Sequence, residues 1–164
     1  MMQEQFHIRT AAPEDTGLLA GIVRTSFADV ALRFGITPES APSHPSNCTG
    51  EWIRKDLARG VVYYILEHEG EAAGCAAVEQ AQGGLCYLER LAVLPACRRR
   101  GYGEALVKNA VLKARTLGAM ELGIGIIAGH VELKRWYVRL GFIEKDSRDF
   151  AHLPFRVCFL GYPL

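Results

Sequence analysis

The first third of the chain carries apolar residues at helical spacings, and the pattern then changes to the short apolar runs typical of strands. Pro13 and the two acids after it predict the start of a first helix, which runs toward Gly35 either whole or in two pieces. Residues 36–50 contain three prolines together with Ser, Asn and Thr, so they are predicted to form a loop. Further helices are predicted at Glu51–Arg59, 102–117 and His130–Leu140.

Several segments have strand-like composition, and three of them follow one another with only short turns between them. The turn Glu69-Gly70-Glu71 and the pair Gly83-Gly84 predict hairpin connections, so these three strands form a meander. The predicted strands are Phe6–Arg9, Val61–Leu66, Ala72–Glu79, Leu85–Leu94, Met120–Ile127, Phe142–Lys145 and Phe155–Leu160. This order of elements predicts an α+β fold around a sheet of mixed direction.

Length and composition are those of an ordinary water-soluble protein. The 164 residues are 49% hydrophobic and 23% charged, which is enough apolar material for one core, so residues 1–164 are predicted to form a single domain. The net charge of +1 gives no bulk attraction for nucleic acid. No apolar run reaches the roughly 18–20 residues that span a bilayer, and the N-terminus lacks the basic and apolar regions of a signal peptide. A cytoplasmic protein that binds neither nucleic acid nor membrane is therefore expected.

The cysteines and histidines give little sign of special chemistry. The five cysteines are odd in number and contain no C-x-x-C pair, which favours reduced thiols. The five histidines lack the short spacings of zinc ligands, so no metal is expected. Cys97, beside three arginines, is interpreted either as an activated thiol or as a bystander.

The main candidate for chemistry follows the predicted strand Leu85–Leu94. Pro95 ends that strand, Arg98-x-x-Gly101-x-Gly103 comes next, and a helix begins directly afterwards. Glycine lets the backbone approach a bulky anion, and a helix start presents free N–H groups, so this segment predicts a pyrophosphate site. The segment is not a Walker A loop, and it lacks the third glycine of a Rossmann fingerprint. The alternative is a solvated basic turn with structural glycines.

Two motifs in this order resemble the GCN5-related N-acetyltransferase (GNAT) superfamily. The first is Leu91-Ala-Val-Leu-Pro95 followed by Arg98-x-x-Gly101-x-Gly103. The second is Tyr137-x-x-x-Gly141-Phe142. The motifs cover about residues 85–145, and the order of elements resembles the family over about residues 4–160.

This resemblance implies a fold and a co-substrate, acetyl-CoA. The fold is a mostly antiparallel central sheet of about six to seven strands flanked by about four helices. The strand at Leu85–Leu94 splays from Met120–Ile127 to form the coenzyme cleft. Main-chain groups of the Leu-Ala-Val segment would pair with the pantetheine arm, and Arg98 with the amides after it would hold the diphosphate. The implied coenzyme-binding residues are Leu91, Ala92, Val93, Arg98, Arg99, Arg100, Gly101, Tyr102, Gly103, Glu104 and His130.

His130 and Tyr137 each have two interpretations. His130 stands where many family members carry an asparagine that contacts the coenzyme, and it either keeps that contact or only begins the helix. The resemblance places Tyr137 near the thioester sulfur, where its hydroxyl would protonate the departing thiolate. Tyr137 also lies on the apolar stripe of its helix, so the alternative is a packing role.

Glu89 is the candidate general base, because an ammonium must lose a proton before it can attack. Strict alternation predicts that Tyr87, Glu89, Leu91 and Val93 share one face of their strand. A carboxylate among apolar residues of a strand needs a partner or a role. The alternative is an ion pair or a position at the rim of the site, with Arg90 nearby.

The resulting hypothesis is an acetyl-CoA-dependent N-acyltransferase that acts on a small-molecule or peptide primary amine by direct attack in a ternary complex. The alternative is a non-catalytic acyl-CoA sensor. Family members often dimerise through edge strands, and the apolar run 155–162 would suit such a homodimer. Residues 27–60 and 146–154 are expected on the acceptor side, where the polar residues favour no substrate charge. They are Asp29, Arg33, Glu39, His44, Asp146, Arg148, Asp149 and His152.

Overall fold

The computed structural model describes residues 5–164, and Met1–Glu4, which the signal-peptide argument included, lie outside the described residues. The helices are α1 (Thr16–Arg33), α2 (Gly50–Ala58), α3 (Tyr102–Thr116) and α4 (Val131–Leu140). The strands are β1 (Phe6–Thr10), β2 (Val62–His68), β3 (Glu71–Gln80), β4 (Leu85–Val93), β5 (Glu121–Ile127), β6 (Ile143–Arg148) and β7 (Val157–Pro163). Of the two interpretations of the first helix, the structure has the unbroken one, preceded by a 3-10 turn at Pro13–Asp15.

The seven strands form one sheet in the order β1-β2-β3-β4-β5-β7-β6. Every pairing is antiparallel except that of β4 with β5. The predicted α+β fold, with a mostly antiparallel sheet and four helices among residues 5–164, is confirmed. The C-terminal run does not supply a sheet edge as expected for a dimer contact, because β7 pairs with β5 on one side and β6 on the other. The edge strands are β1 and β6.

Helices cover both faces of the sheet and divide its apolar side chains between two cores. On one face, Leu106 and Ala110 of α3 and Tyr137 of α4 pack on Leu122 and Leu160. On the other face, apolar residues of α1 and α2 pack on β2 and β3. They include Leu19, Val23, Ile53, Tyr63 and Cys75. Burial of these side chains is the main stabilising contribution.

A bulge in β4 changes the face on which its side chains lie. Arg90 has a φ of 50°, and the register between β3 and β4 shifts so that two residues of β4 stand opposite Ala76. The prediction that Glu89, Leu91 and Val93 share a face is therefore wrong. Leu91 and Val93 pack toward the α3 core. Glu89 is paired with Ala77, which belongs to the α1 core, so it lies on the opposite face with Tyr87.

Strands β4 and β5 separate soon after they begin. Their ladder joins Leu85–Tyr87 with Glu121–Gly123 only. Beyond it β5 continues to pair with β7 as far as Ile127, whereas β4 keeps its pairing with β3. The edges of β4 and β5 that face each other are thus left open, and the splayed cleft that the resemblance implied is present.

Candidate active site

The cleft between β4 and β5 opens into a cavity of about 1010 Å³. Its walls come from the splayed halves of both strands, the C-terminal half of α1, the first turns of α3 and α4, and the segment that leads into β7. The volume is at the upper end of small-molecule sites. All predicted site residues line it except Arg100, which is exposed and outside the lining.

The start of α3 forms the end of the cavity at which an anion is predicted to bind. Arg99 and Gly101 both have positive φ, 65° and 80°, which turns the chain tightly into the helix. Among residues 5–164 no side chain caps this helix, so its first N–H groups and the positive end of its dipole are available to an anion. Gly103 lies directly against Trp136, because a Cβ there would be 3.2 Å from the indole. The glycine is therefore a packing requirement as well as an approach for the anion.

The guanidinium of Arg98 contacts α1 and the end of β4. Its Nη1 lies 2.6 Å from Oδ2 of Asp29, and its Nη2 donates to the carbonyl of Ser26 at 2.8 Å. Its Nε also donates to the carbonyl of Val93 at 3.2 Å. The side chain thereby joins the glycine-rich turn to α1. The ion pair lowers the pKa of Asp29.

The Leu91–Val93 segment of β4 lines the cleft with main-chain groups on its open side. Its other side stays paired with β3 through Ala92 and Val93. A strand with one unpaired side can accept an extended ligand as an added strand. The geometry therefore fits the role that the resemblance implied for this segment.

Tyr137 lies on α4 with its ring enclosed by Trp136 and Phe142, at centroid distances of 4.9 and 5.1 Å. The side chain lines the cavity yet is 5% exposed. Burial raises the pKa of Tyr137, so the phenol keeps its proton at physiological pH. Within the described part of the chain, no hydrogen bond occupies this hydroxyl.

His130 caps α4. Its Nδ1 accepts a hydrogen bond from the amide of Leu133 at 3.4 Å, and its ring packs on Phe34. Burial, helped by the charge of Arg33, lowers the pKa of His130, which favours the neutral ring. His130 thus begins the helix, which it caps through Nδ1. It also lines the cavity, and its contact with a coenzyme stays a prediction.

Glu89 lines the cavity from the α1 face of the sheet, where it hydrogen-bonds to the carboxyl group of Glu79. Burial, and then the contact with Glu79, raises the pKa of Glu89 to about 7. The expected alternative, an ion pair with Arg90, is not the arrangement found. Arg90 instead bonds Asp56 and the hydroxyl of Tyr63.

Sequence reasoning missed the buried polar cluster beneath Glu89. Asp56 of α2 is 5% exposed and accepts from the hydroxyl of Tyr63 at 2.5 Å and from Arg59 at 2.9 Å. Arg59 also bonds Glu79, which completes a connected path from α2 to Glu89. These residues come from α2, its C-terminal end and three strands, so no spacing in the sequence could have revealed the cluster. The bulge at Arg90 is what directs its guanidinium inward.

Three of the eight polar residues expected on the acceptor side line the cavity: Asp29, Arg33 and His44. Asp29 is paired with Arg98, and Arg33 lies 2.5 Å from Glu132. Cys97 also lines the cavity and is partly buried.

Among residues 5–164, no group of three or more His, Cys, Asp or Glu is arranged to hold a metal ion. In the same part of the chain, no helix has the length and apolar character needed to cross a membrane.

Comparison with known proteins agrees with this geometry. The sequence model of the acetyltransferase (GNAT) family matches residues 30–142. YjgM of Escherichia coli (strain K12), an uncharacterized N-acetyltransferase, is 25% identical over 142 residues, which are 85% of this chain and 83% of YjgM. An amino-acid acetyltransferase of Neisseria meningitidis serogroup A is 35% identical over 88 residues, which are 53% of this chain and 19% of that protein.

A solved structure has the same fold. The PaiA N-acetyltransferase of Thermoplasma acidophilum, crystallised in complex with coenzyme A, superposes with a TM-score of 0.80 at 17% identity, covering 98% of this chain and 99% of that one. The family match extends over more than half of the sequence and includes both motifs and the splayed strands. This chain belongs to the acetyltransferase (GNAT) family.

Proposed function

We propose that this protein transfers the acetyl group of acetyl-CoA to a primary amine by direct attack in a ternary complex. One observation carries the proposal: an open strand edge, an uncapped helix start, a protonated tyrosine and a carboxyl group all line one cavity. These are the groups that a bound thioester and an attacking amine require. We further propose that residues 1–164 act as one N-acetyltransferase domain.

The fit to acetyl-CoA rests on the two ends of the cleft. The first turn of α3 offers N–H groups to a diphosphate, with Arg99 and Gly101 in the turn before it. The open edge of Leu91–Val93 offers hydrogen bonds to an extended amide chain. His130 would add a contact from the start of α4. When bound, acetyl-CoA supplies a thioester carbonyl that is open to nucleophilic attack.

The amine must be neutral when it attacks, and Glu89 is the group proposed to take its proton. A carboxyl group with a pKa of about 7 is a better proton acceptor than an ordinary glutamate and is still half ionised near neutral pH. Its position in the lining of the cavity permits transfer directly or through a water molecule. Burial, and then the contact with Glu79, raises its pKa to this value.

Tyr137 is proposed to protonate the departing thiolate. A thiol is a weak acid with a pKa near roughly 8.5, so a modest donor is sufficient. The buried phenol keeps its proton and has no other partner among the described residues. Acid and base thus come from different elements, α4 and β4, that face one cavity.

The experiment measures release of free thiol from acetyl-CoA across amines, amino acids, polyamines and peptides. Binding of acetyl-CoA is measured separately by calorimetry. We expect thiol release with at least one amine in the wild type and no such release in Glu89→Gln. If acetyl-CoA binds but no class of amine gives turnover, the acyl-CoA sensor is supported instead.

A further inference from the structure

The α1 side of the cavity has a floor made of two aromatic rings. Tyr87 of β4 is paired with Gly123, and Phe159 of β7 is paired with Gly125. A Cβ at Gly123 would lie 3.3 Å from the ring of Tyr87, and one at Gly125 would lie 3.4 Å from the ring of Phe159. The two glycines of β5 therefore make room for the rings on either side of that strand. Both rings line the cavity.

Three more aromatic rings of the cavity lining contact one another. His44, from the loop between α1 and α2, lies between Phe27 of α1 and Phe155, with centroid distances of 5.9 and 6.4 Å in edge contacts. All three line the cavity. His44 is 7% exposed, and burial lowers its pKa, so the ring is neutral at pH 7. These five rings, which we call the aromatic enclosure, give the cavity an aromatic lining.

The cations at this cavity already have partners. Arg90 is bonded to buried Asp56, and Arg98 is bonded to Asp29. Arg33 is bonded to Glu132 at the start of α4. The remaining lining cation, Arg99, belongs to the turn before α3. Among the described residues, the aromatic enclosure therefore offers a substrate carboxylate no unpaired positive charge, whereas Glu89 offers a negative one.

We propose that the acceptor is a primary amine on a hydrophobic, aromatic group, with no carboxylate beside the amine. This inference rests on the proposed function and names its substrate class. Aromatic rings supply apolar contact for the substituent and attract the ammonium form of the amine. A carboxylate in this enclosure would lose its hydration without gaining an ion pair.

Matched pairs of acceptors test this assignment. Phenethylamine is compared as acceptor with L-phenylalanine, which differs by one carboxylate, and with ethylamine, which lacks the ring. We expect kcat/KM to favour phenethylamine by about 100-fold over L-phenylalanine and by at least about tenfold over ethylamine. Equal or higher kcat/KM for L-phenylalanine, for spermidine or for a peptide N-terminus overturns the inference while leaving the proposed function intact.

Variants separate the enclosure from the rest of the site. Phe27→Ala and Phe155→Ala should raise the KM for phenethylamine about tenfold and leave the Kd for acetyl-CoA unchanged. Leu32→Ala is the matched control, since Leu32 is on α1 too but is 86% exposed and outside the cavity lining. Phe27→Leu keeps the core filled if the alanine variant does not fold. An unchanged KM in the folded variants overturns the inference.

Binding without turnover distinguishes the two proposals. Saturation-transfer NMR measures phenethylamine on the acetyl-CoA complex. If phenethylamine binds, if Phe155→Ala weakens that binding and if no thiol is released, the enclosure is supported and the proposed function is overturned. Absence of both binding and turnover overturns the inference.

Discussion

The guanidinium of Arg98 lies 2.6 Å from the carboxylate of Asp29, although the two residues are 69 positions apart in the chain. The contact fixes the glycine-rich turn before α3 to the C-terminal half of α1. Both residues line the cavity, so Arg98 either anchors α1 over the cleft or, as proposed, binds a diphosphate in place of Asp29.

The first prediction separates these two roles of Arg98. Arg98→Ala should raise the Kd for coenzyme A about tenfold, because a charged contact to a phosphate is lost. Asp29→Asn keeps the arginine and removes its competitor, so the Kd should stay the same or fall. Calorimetric titration measures both. If Asp29→Asn weakens binding as much as Arg98→Ala does, then Arg98 acts by anchoring α1 and not by contacting the diphosphate.

Tyr137→Phe tests the proposed acid. The variant keeps the ring that packs between Trp136 and Phe142 and removes only the hydroxyl. We expect kcat to fall by about 100-fold, with Kd for acetyl-CoA and the melting temperature nearly unchanged. Stopped-flow and steady-state thiol release are the measurements. Equal losses in turnover and binding would mean that the hydroxyl has a packing role.

The pH dependence of kcat/KM should report Glu89. The charged and titratable groups that face it are Glu79 from β3, Arg90 from β4 and Asp56 from α2. Because the base must be ionised, activity should rise with pH to a midpoint near 7. Glu79→Gln removes the neighbouring acid and should lower the midpoint by about one pH unit. Glu89→Gln should abolish this rise of kcat/KM with pH. A midpoint that Glu79→Gln leaves in place would assign the titration to another group, such as the substrate amine.

Folding stability gives an independent check on the same carboxyl group. Its pKa is higher in the folded protein, so its stabilising contribution is present below pH 4.5 and is lost as the pH rises through about 7. Wild type should therefore lose stability relative to Glu89→Gln across that interval. Urea denaturation at pH 4.5 and pH 8 measures the difference. A constant difference would contradict the raised pKa.

The buried pair of Asp56 and Arg90 should matter more for stability than the exposed pairs. Asp56→Ala leaves Arg90 buried with no acidic partner, which should lower the free energy of unfolding by about 3 kcal/mol. Glu132→Ala breaks an exposed pair and serves as the control, with no measurable change expected. Denaturant titration compares them. If Asp56→Ala lowers the free energy of unfolding as little as Glu132→Ala does, the buried cluster is dispensable for stability.

Gly103 should be intolerant of a side chain. A Cβ there would lie 3.2 Å from Trp136, so Gly103→Val should shift α3 from α4, weaken coenzyme binding and destabilise the fold by about 1–3 kcal/mol. Gly21→Ala is the matched control, because a Cβ at this α1 position meets nothing within 4 Å. That variant should gain about 0.5–1 kcal/mol. Thermal melts and calorimetry test the pair, and tolerance of valine at position 103 would refute the packing argument.

Local pattern was sufficient for the elements and for the glycine-rich turn before α3. Helical spacing and strand-like runs placed the helices and strands to within a few residues, because both depend on neighbours close in sequence. The turn Arg98–Gly103 and the helix start after it are contiguous, so their geometry was predictable for the same reason, and anion binding there stays a prediction. The sheet order of β7 was not, since pairing between distant strands leaves no local pattern.

The position of Glu89 shows the limit of such reasoning. Strict alternation placed Glu89 with Leu91 and Val93, and one bulged residue at Arg90 reversed that relation. The partner of Arg90 is Asp56, 34 residues away. By itself the sequence determined the elements, the two motifs and the glycine-rich turn before α3, because these depend on residues adjacent along the chain. Only the tertiary structure decided the face of Glu89, its contact with Glu79 and the aromatic enclosure, because these depend on packing between segments that are remote in sequence.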